Sequence, residues 1–305
     1  MKNINIGNGK INTSAIGLGC MRMNKLNNKE AEKVIRTCLE LGINFFDHAD
    51  IYGEGQCEEI FANAINMNET IREKMIIQSK CGIRDGLYDF SKEHILNSVD
   101  NILKRLKTTY LDSLLLHRPD TLMEPEEVAE AFRVLKESGK VKNFGVSNQN
   151  PMQIELLNKY LNDKIIINQL QFSIMHSGII DCGLNVNTMF DGSLNRDGGI
   201  LEYCRLKDIT IQAWSPYQYG FFEGVFLDNE KFPDLNNKIN EIASRYNVSN
   251  TAIATAWILR HPANIQVIVG SMNENRLKDI CTSSNITLTR EEWYDIYKAA
   301  GNKLP

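Results

Sequence analysis

Four residues with side chains suited to proton transfer follow short apolar runs in the sequence. Asp47 and Tyr52 follow one run, Lys80 ends the next, and His117 ends a third. An ionisable side chain directly after a buried apolar run must pair with another group or face a cavity. We therefore expect these four side chains to meet above one mouth of the fold.

Together, these residue types favour acid catalysis of carbonyl reduction. A tyrosine hydroxyl, with an ordinary pKa of about 10, can donate a proton to a developing alkoxide. A nearby lysine ammonium lowers the pKa of the phenol, and a carboxylate keeps that ammonium charged. A histidine can orient a carbonyl oxygen or share the proton transfer. Singly, each residue has an ordinary structural explanation. Their location at the ends of successive predicted strands favours a catalytic role.

Eight short apolar runs alternate with amphipathic ones along the chain and are predicted to be strands. Several lack polar alternation, which is typical of strands buried on both faces. The predicted strands are Ala15–Cys20, Asn44–His48, Met75–Lys80, Ser113–His117, Lys142–Val146, Ile165–Leu170, Thr210–Trp214 and Gln266–Val269. This alternation predicts an α/β fold, a (β/α)8 TIM barrel formed by residues 1–305 as one domain. A doubly wound open sheet is the alternative.

Helical spacing recurs between these strands, first after the capping signal Asn27…Glu30. The predicted helices cover residues 31–39, 95–106 and 128–135, then Met152–Leu161, Gly199–Leu206, Leu235–Arg245, Asn250–Arg260, Glu274–Cys281 and Arg290–Ala299. The helices at the end of the chain are expected to be additions to the barrel. Ile4 to Ile11, with Gly7-Asn8-Gly9 at the turn, predicts an N-terminal β-hairpin before the first barrel strand.

Two long segments, Phe172–Gly198 and Pro216–Asp234, are predicted to be loops that leave the sixth and seventh strands. Long loops in a compact domain are usually functional, and active sites of barrels lie at this end. We expect them to form walls of a substrate pocket. The candidate apolar contacts are Phe172, Met175, Phe190, Tyr217, Phe221 and Phe222.

Composition excludes several other classes of protein. The chain has 305 residues, a net charge of −4 and a pI near 5.8, which argues against a nucleic-acid-binding surface. No apolar run approaches the roughly 20 residues of a membrane span, and the first residues do not resemble a signal peptide. We therefore expect a soluble, cytoplasmic protein with neither nucleic acid nor membrane as partner. The sequence does not specify the oligomeric state.

The cysteines and the other histidines give no pattern of metal ligands. The seven cysteines are scattered without a C-x-x-C pair, so neither a disulfide framework nor structural zinc is expected. His48, His94, His176 and His261 are isolated, and no metal site is expected. We interpret His48 as a packing residue or a support for the site, and the other three as surface or loop residues.

Two partial motifs fail on inspection. Gly17-Leu18-Gly19 begins like a dinucleotide-binding loop but lacks its third glycine. Gly145-Val146-Ser147-Asn148-Gln149 begins like the nucleophile elbow of a serine hydrolase but has Gln149 in place of the second glycine. Neither a Rossmann domain nor a serine hydrolase is therefore favoured.

With these residues in view, the chain resembles the aldo-keto reductase family along nearly its whole length. The matching motifs are Asp47…Tyr52-Gly53, Lys80, His117, Gly145-Val146-Ser147-Asn148, Gln169, Ala213-Trp214-Ser215-Pro216 and Gly270-Ser271…Arg276. Their correct order makes the resemblance specific. The runs around Asp47, Lys80 and His117 are most similar to a bacterial subgroup of oxidoreductases.

The resemblance implies a (β/α)8 barrel that binds NADPH without a Rossmann fold and uses Asp47, Tyr52, Lys80 and His117 as a catalytic tetrad. Tyr52 would be the general acid, Lys80 would tune its pKa, and His117 would position the substrate oxygen. Ser147, Asn148 and Gln169 match the positions that bind the nicotinamide carboxamide, for which amide and hydroxyl groups are suited. Trp214 matches the aromatic residue that stacks on the nicotinamide ring. Ser215 and the loop after it match the pyrophosphate-binding segment.

The resemblance further implies that Ser271 and Arg276 bind the 2′-phosphate, a task for which a guanidinium is suited. Gly270 stands where many family members have a lysine, so one cation is lost and the preference for NADPH is expected to be weaker. Asp279 matches an acidic position that family members use near the adenine. These matches predict an NADPH-dependent enzyme that reversibly reduces an aldehyde or ketone, a small-molecule carbonyl substrate, to an alcohol. The alternative is an NADPH-binding regulatory or sensing subunit with little turnover.

Overall fold

The structure, a computed structural model, describes residues 1–305 and is built from short strands and amphipathic helices. In chain order the strands are β1 (Asn3–Ile6), β2 (Ile11–Ser14), β3 (Ile16–Gly19), β4 (Phe45–Asp47), β5 (Ile76–Cys81), β6 (Ile83–Arg84), β7 (Leu87–Tyr88), β8 (Ser113–Leu116), β9 (Phe144–Ser147), β10 (Ile167–Gln171), β11 (Thr210–Trp214), β12 (Gln218–Tyr219), β13 (Gly224–Val225) and β14 (Ile265–Val269).

The helices cover the outside of the barrel. They are α1 (Asn28–Glu40), α2 (Gln56–Ala64), α3 (Glu69–Arg72), α4 (Lys92–Leu106), α5 (Pro125–Glu137), α6 (Pro151–Tyr160), α7 (Gly178–Leu184), α8 (Ile200–Leu206), α9 (Pro233–Tyr246), α10 (Asn250–Leu259), α11 (Glu274–Thr282) and α12 (Arg290–Ala299). None is long and apolar enough to cross a membrane.

Eight parallel strands close into one barrel, which confirms the predicted (β/α)8 fold and excludes the open sheet. The order around the barrel is β3, β4, β5, β8, β9, β10, β11 and β14, and β14 pairs with β3 to close it. Strands β8 and β14 are buried at every position, as expected where helices cover a parallel sheet. The carboxyl ends of all eight strands point to one mouth, and this mouth carries the polar residues singled out above.

The predicted N-terminal hairpin forms from β1 and β2 and closes the opposite mouth. Ile4, Ile6 and Ile11 are buried there. They pack with inward-facing strand residues such as Phe45 and Leu115 in a small apolar cluster separate from the main core. The hairpin therefore works as a plug under the barrel, far from the polar mouth.

Several elements differ from the sequence prediction. Helix α2 was not predicted, because its single buried face is short and follows a tight corner rather than a capping residue. The predicted loop Phe172–Gly198 contains α7 and a single turn at Asp191–Ser193, and the loop after β11 folds into the hairpin β12–β13. A further hairpin, β6–β7, follows β5. These short elements have too few residues for a recognisable periodicity.

Candidate active site

Asp47, Tyr52 and Lys80 form one hydrogen-bonded group at the polar mouth, and His117 lies beside it. The fully buried Lys80 Nζ donates to Asp47 Oδ2 at 2.8 Å, to the His48 carbonyl at 2.7 Å and to the Tyr52 hydroxyl at 3.2 Å. The rings of Tyr52 and His117 meet edge to face, with centroids 6.0 Å apart. The structure thus brings the four predicted catalytic side chains together.

A sharp corner after β4 sets the position of Tyr52. Gly53, Glu54 and Gly55 follow it with left-handed φ angles of 57°, 56° and 90°. Glycine adopts such angles readily, whereas a residue with a side chain does so at a cost of about 1 kcal/mol. The corner turns the chain directly from strand β4 into helix α2, so that the Tyr52 ring reaches over Lys80.

The surroundings keep Tyr52 protonated and Lys80 charged. Burial raises the pKa of the Tyr52 phenol above its ordinary value, although the Lys80 ammonium partly lowers it. Lys80 thus lowers the pKa of the phenol as the sequence argument expected, but burial, which that argument did not include, outweighs it and makes the net shift upward. Burial also acts to lower the pKa of Lys80, but Asp47 and Tyr52 together raise it above its usual value.

His117 is held as a neutral imidazole. Burial lowers its pKa well below the ordinary value, and the cations Lys80 and Arg118 lower it further. Its Nδ1 is buried and makes no hydrogen bond. A neutral imidazole retains one N–H, which can be donated to an oxygen in the mouth of the barrel.

A cavity of about 670 Å³, here called the main cavity, opens above these residues. Asp47, Tyr52 and His117 are part of its lining, whereas Lys80 lies behind them. Eight of the nine predicted cofactor-binding residues also line it: Ser147, Asn148, Gln169, Trp214, Ser215, Gly270, Ser271 and Arg276. The ninth, Asp279, lies further along α11 with an exposed side chain outside the lining.

Three of these residues form a chain of hydrogen bonds between the ends of β9 and β11, the two strands that flank β10. The Trp214 indole donates to Asn148 Oδ1 at 3.3 Å, and Asn148 Nδ2 donates to Ser147 Oγ at 2.7 Å. Asn148 and Ser215 have left-handed φ angles of 57° and 50°. Non-glycine residues in this conformation concentrate at binding and active sites. These hydrogen bonds hold the Trp214 ring in the cavity wall.

Arg22 is a cavity residue that the sequence analysis did not select. Its guanidinium Nη1 donates to the Gly270 carbonyl at 3.0 Å, and a Cβ atom on residue 270 would lie 2.7 Å from the same nitrogen. Arg22 therefore fills the space that a side chain at position 270 would need. The missing side chain at Gly270 was visible in the sequence, but Arg22 is about 250 residues away and only the closing pair β14–β3 brings it there.

A buried layer of glutamines lies beneath the site, and the sequence analysis also missed it. Gln78 Nε2 donates to Asp47 Oδ1 at 2.7 Å and to Gln212 Oε1 at 2.8 Å, and Gln169 Nε2 donates to the same two oxygens at 3.1 Å. Gln212 continues the layer to Gln266. Asp47 is therefore fixed from below. The signal was a glutamine inside each of four apolar runs, at positions that face into the barrel.

Of the six residues predicted to form walls of the substrate pocket, only three line the main cavity. Tyr217, Phe221 and Phe222 line the main cavity, as expected. Phe172 is fully buried against Trp257, and Phe190 lies under Lys303. Met175 packs at the edge of the core. None of the last three lines the main cavity, so we interpret them as packing residues.

The side chains of the remaining histidines and of the cysteines take no part in the group around Tyr52. His48 is buried edge-on against Phe61, and burial lowers its pKa to about 3, so it is a packing residue as interpreted. His94 and His261 are partly buried on or beside helices, and His176 is exposed in a loop. All seven cysteines are free thiols. No group of three or more His, Cys, Asp or Glu side chains could hold a metal ion.

The geometry agrees with the family that the chain matches. The model of the Aldo/keto reductase family matches residues 15–300. The chain is 38% identical over 302 residues to the uncharacterized oxidoreductase YcsN of Bacillus subtilis, covering 94% of each protein. It is 32% identical to a 6-dehydroglucose reductase of Agrobacterium fabrum, covering 88% of this chain and 87% of that one.

The chain belongs to the aldo/keto reductase family, a family of oxidoreductases, and its similarity to bacterial oxidoreductases is confirmed. A solved aldo/keto reductase from Klebsiella pneumoniae, in complex with NADP and acetate, has the same fold. It superposes with a TM-score of 0.78 at 22% identity, covering 99% of this chain and 96% of that one.

Proposed function

We propose that this protein is an NADPH-dependent carbonyl reductase, in which Tyr52 is the general acid that protonates the oxygen of an aldehyde or ketone. The observation that carries the proposal is the hydrogen bond from Lys80 Nζ to the Tyr52 hydroxyl at the floor of the main cavity. The lysine proton occupies a lone pair of the phenol oxygen. The phenol's own proton is therefore left free for a group in the cavity.

The charges around Tyr52 support proton donation. A protonated phenol next to a permanent ammonium can release its proton as negative charge develops on the substrate oxygen, because Lys80 stabilises the phenolate that remains. Asp47 holds Lys80 in position through a 2.8 Å ion pair. The reverse reaction, alcohol oxidation, uses Tyr52 as the base and the same partners.

His117 supports the orientation of the substrate. Its neutral ring lies at the side of Tyr52 and within the cavity lining. One imidazole N–H can donate to the carbonyl oxygen that Tyr52 protonates. Two donors that converge on one oxygen hold the carbonyl in a single orientation.

The residues of the main cavity suit a nicotinamide dinucleotide phosphate, which the Klebsiella relative binds as NADP. When bound, this cofactor supplies the hydride. Trp214 offers a flat apolar face, and Ser147, Asn148 and Gln169 offer groups for a carboxamide. At the other end, neither Arg276 nor Arg22 forms an ion pair with an acidic residue, and both suit a phosphate. Arg22 supplies the cation that Gly270 lacks.

Replacing Tyr52 by phenylalanine tests the proposal, since it removes only the hydroxyl. We expect Tyr52→Phe to lower kcat for aldehyde reduction at least about 100-fold, the usual scale of general acid catalysis. NADPH should still quench the tryptophan fluorescence, because the cavity keeps its shape. Tyr160→Phe, on the outer helix α6, is the matched control and should leave kcat unchanged. Full reductase activity in Tyr52→Phe would contradict the role of Tyr52.

A further inference from the structure

A second cavity of about 400 Å³, here called the side cavity, adjoins the main cavity beside Trp214. The two share Arg118, Asn148, Trp214 and Phe221 in their linings. Most of the residues that line the side cavity are polar or charged. These include Arg118, Gln149, Gln153, His176, Arg196 and Asp197.

Arg118 is a cation without an acidic partner. It is partly buried directly after His117, and it forms no ion pair and no hydrogen bond within the chain. The rings of Trp214 and Phe221 lie 5.5 Å and 5.7 Å from its guanidinium carbon. Aromatic rings stabilise the flat face of a guanidinium but leave the N–H groups at its edge unused. Those donors are available to a ligand.

Two further residues of the side cavity point to a polar ligand. Gln149 is 3% exposed, and its buried Oε1 has no hydrogen-bond partner, which is costly unless a ligand supplies a donor. Arg196 is exposed and likewise has no acidic partner. The only carboxylate in the lining, Asp197, is engaged by the backbone N–H groups of Gly199 and Ile200. Two arginines face this single carboxylate, so the net charge of the side cavity is positive.

We infer that the substrate is an anionic carbonyl compound, whose carboxylate or phosphate group binds Arg118 in the side cavity while its carbonyl lies at Tyr52 and His117. This inference rests on the proposed carbonyl reduction and names the substrate class for it. Because Arg118 lines the main cavity together with Tyr52 and His117, one small molecule can place its carbonyl at Tyr52 and its anionic group at Arg118. Gln149 Oε1 accepts a hydroxyl or amide donor of the same molecule.

Paired substrates test the inference. We expect kcat/KM for 4-oxobutanoate to exceed that for butanal, and kcat/KM for glyceraldehyde 3-phosphate to exceed that for glyceraldehyde, by at least about tenfold in one pair. The pair with the larger ratio identifies the anion as carboxylate or phosphate. In Arg118→Met this ratio should fall at least about tenfold, mainly through KM, and Arg118→Lys should restore part of it. Arg290→Met, at an exposed arginine on α12 without an ion pair, should keep the ratio.

Binding without turnover separates this inference from the proposed function. We expect calorimetry to detect succinate or 3-phosphoglycerate, which carry a carboxylate in place of the aldehyde, bound to the full-length protein saturated with NADP⁺, and to detect much weaker binding to Arg118→Met. Binding of neither anion would overturn the inference even if aldehydes are reduced. Equal kcat/KM values for the charged and the neutral substrate in both pairs, in an active enzyme, would overturn the inference as well. Anion binding without reduction of any aldehyde would instead contradict the proposed function.

Discussion

Lys80 shows at the scale of one residue how a buried charge is tolerated. Removal of an ammonium group from water costs several kcal/mol unless partners replace the water. All three of its donors are used, by Asp47, the His48 carbonyl and Tyr52. The same hydrogen bonds that stabilise the charge also place it against the phenol. Stability and the proposed chemistry therefore depend on one arrangement, and Lys80 tolerates little change.

Asp50 is a half-buried residue near this group, and ionisation of its carboxyl opposes folding. Burial and the neighbouring Glu58 raise its pKa to about 7, and one of its oxygens has no partner. The folded protein thus binds the Asp50 proton more tightly than the unfolded chain does. Protonation of Asp50 therefore favours folding, and this stabilisation is present below about pH 4 and is lost as the pH rises to about 7.

We therefore expect Asp50→Asn to be more stable than the wild type at pH 8 by about 2 to 4 kcal/mol and to lose this advantage near pH 4. Urea unfolding at the two pH values measures the difference. Asp85→Asn, in an exposed turn, serves as control and should show no such dependence. A gain for Asp50→Asn that is the same at both pH values would contradict the assignment.

Arg22 and Arg276 provide a prediction on cofactor choice. Each guanidinium suits the 2′-phosphate that NADPH has and NADH lacks. We expect Arg276→Ala and Arg22→Ala each to weaken NADPH binding about tenfold, with a much smaller effect on NADH, as measured by fluorescence titration. Equal losses for both cofactors in either variant would show that its arginine does not contact the 2′-phosphate.

At the scale of elements, the turn after β5 depends on a glycine. Gly82 has a φ of +111°, and a Cβ atom there would collide with the buried ring of Phe90. Both the backbone angle and the space therefore exclude a side chain. Gly86, in the turn of the β6–β7 hairpin, has a φ of +73° but open space around it. Substitutions at these two positions therefore separate the cost of the backbone angle from the cost of the collision with Phe90.

We expect Gly82→Ala to lower the free energy of unfolding by about 2 to 5 kcal/mol, through overpacking and backbone strain together. Gly86→Ala should cost about 1 kcal/mol, since only the strain applies. Denaturant unfolding of both variants gives the comparison. Similar losses in the two variants would mean that Phe90 moves aside freely.

At the scale of the whole molecule, the residues of the proposed chemistry and the apolar β1–β2 plug lie at opposite ends of the barrel. The polar mouth carries the buried ion pair of Asp47 and Lys80, whereas the other mouth is closed by the apolar β1–β2 plug. Unpaired cations and left-handed residues are tolerated at one end because apolar packing stabilises the rest. The prediction that residues 1–305 act as one domain stays a prediction, which unfolding experiments can address.

Shortening one buried side chain of the β1–β2 plug tests whether the two ends of the barrel are independent. Ile6 is fully buried under the barrel, so Ile6→Ala should lower the free energy of unfolding by about 2 to 5 kcal/mol. Reductase activity of the folded variant at low temperature should match the wild type, since the site lies at the other mouth. Lys10→Ala, in the hairpin turn, should change neither property. A large loss of kcat in folded Ile6→Ala would show that the two ends are coupled.

The order of apolar runs and helical patterns determined the barrel and the strand ends that carry Asp47, Tyr52, Lys80 and His117. Such local patterns predict elements because side-chain periodicity follows directly from backbone geometry. Family motifs further predicted many of the residues that line the main cavity. Other features required the tertiary structure, namely the contact of Arg22 with Gly270, the glutamine layer, the unpaired Arg118 and the raised pKa of Tyr52. Each depends on burial or on contacts between distant parts of the chain, which appear only when the barrel closes and excludes water.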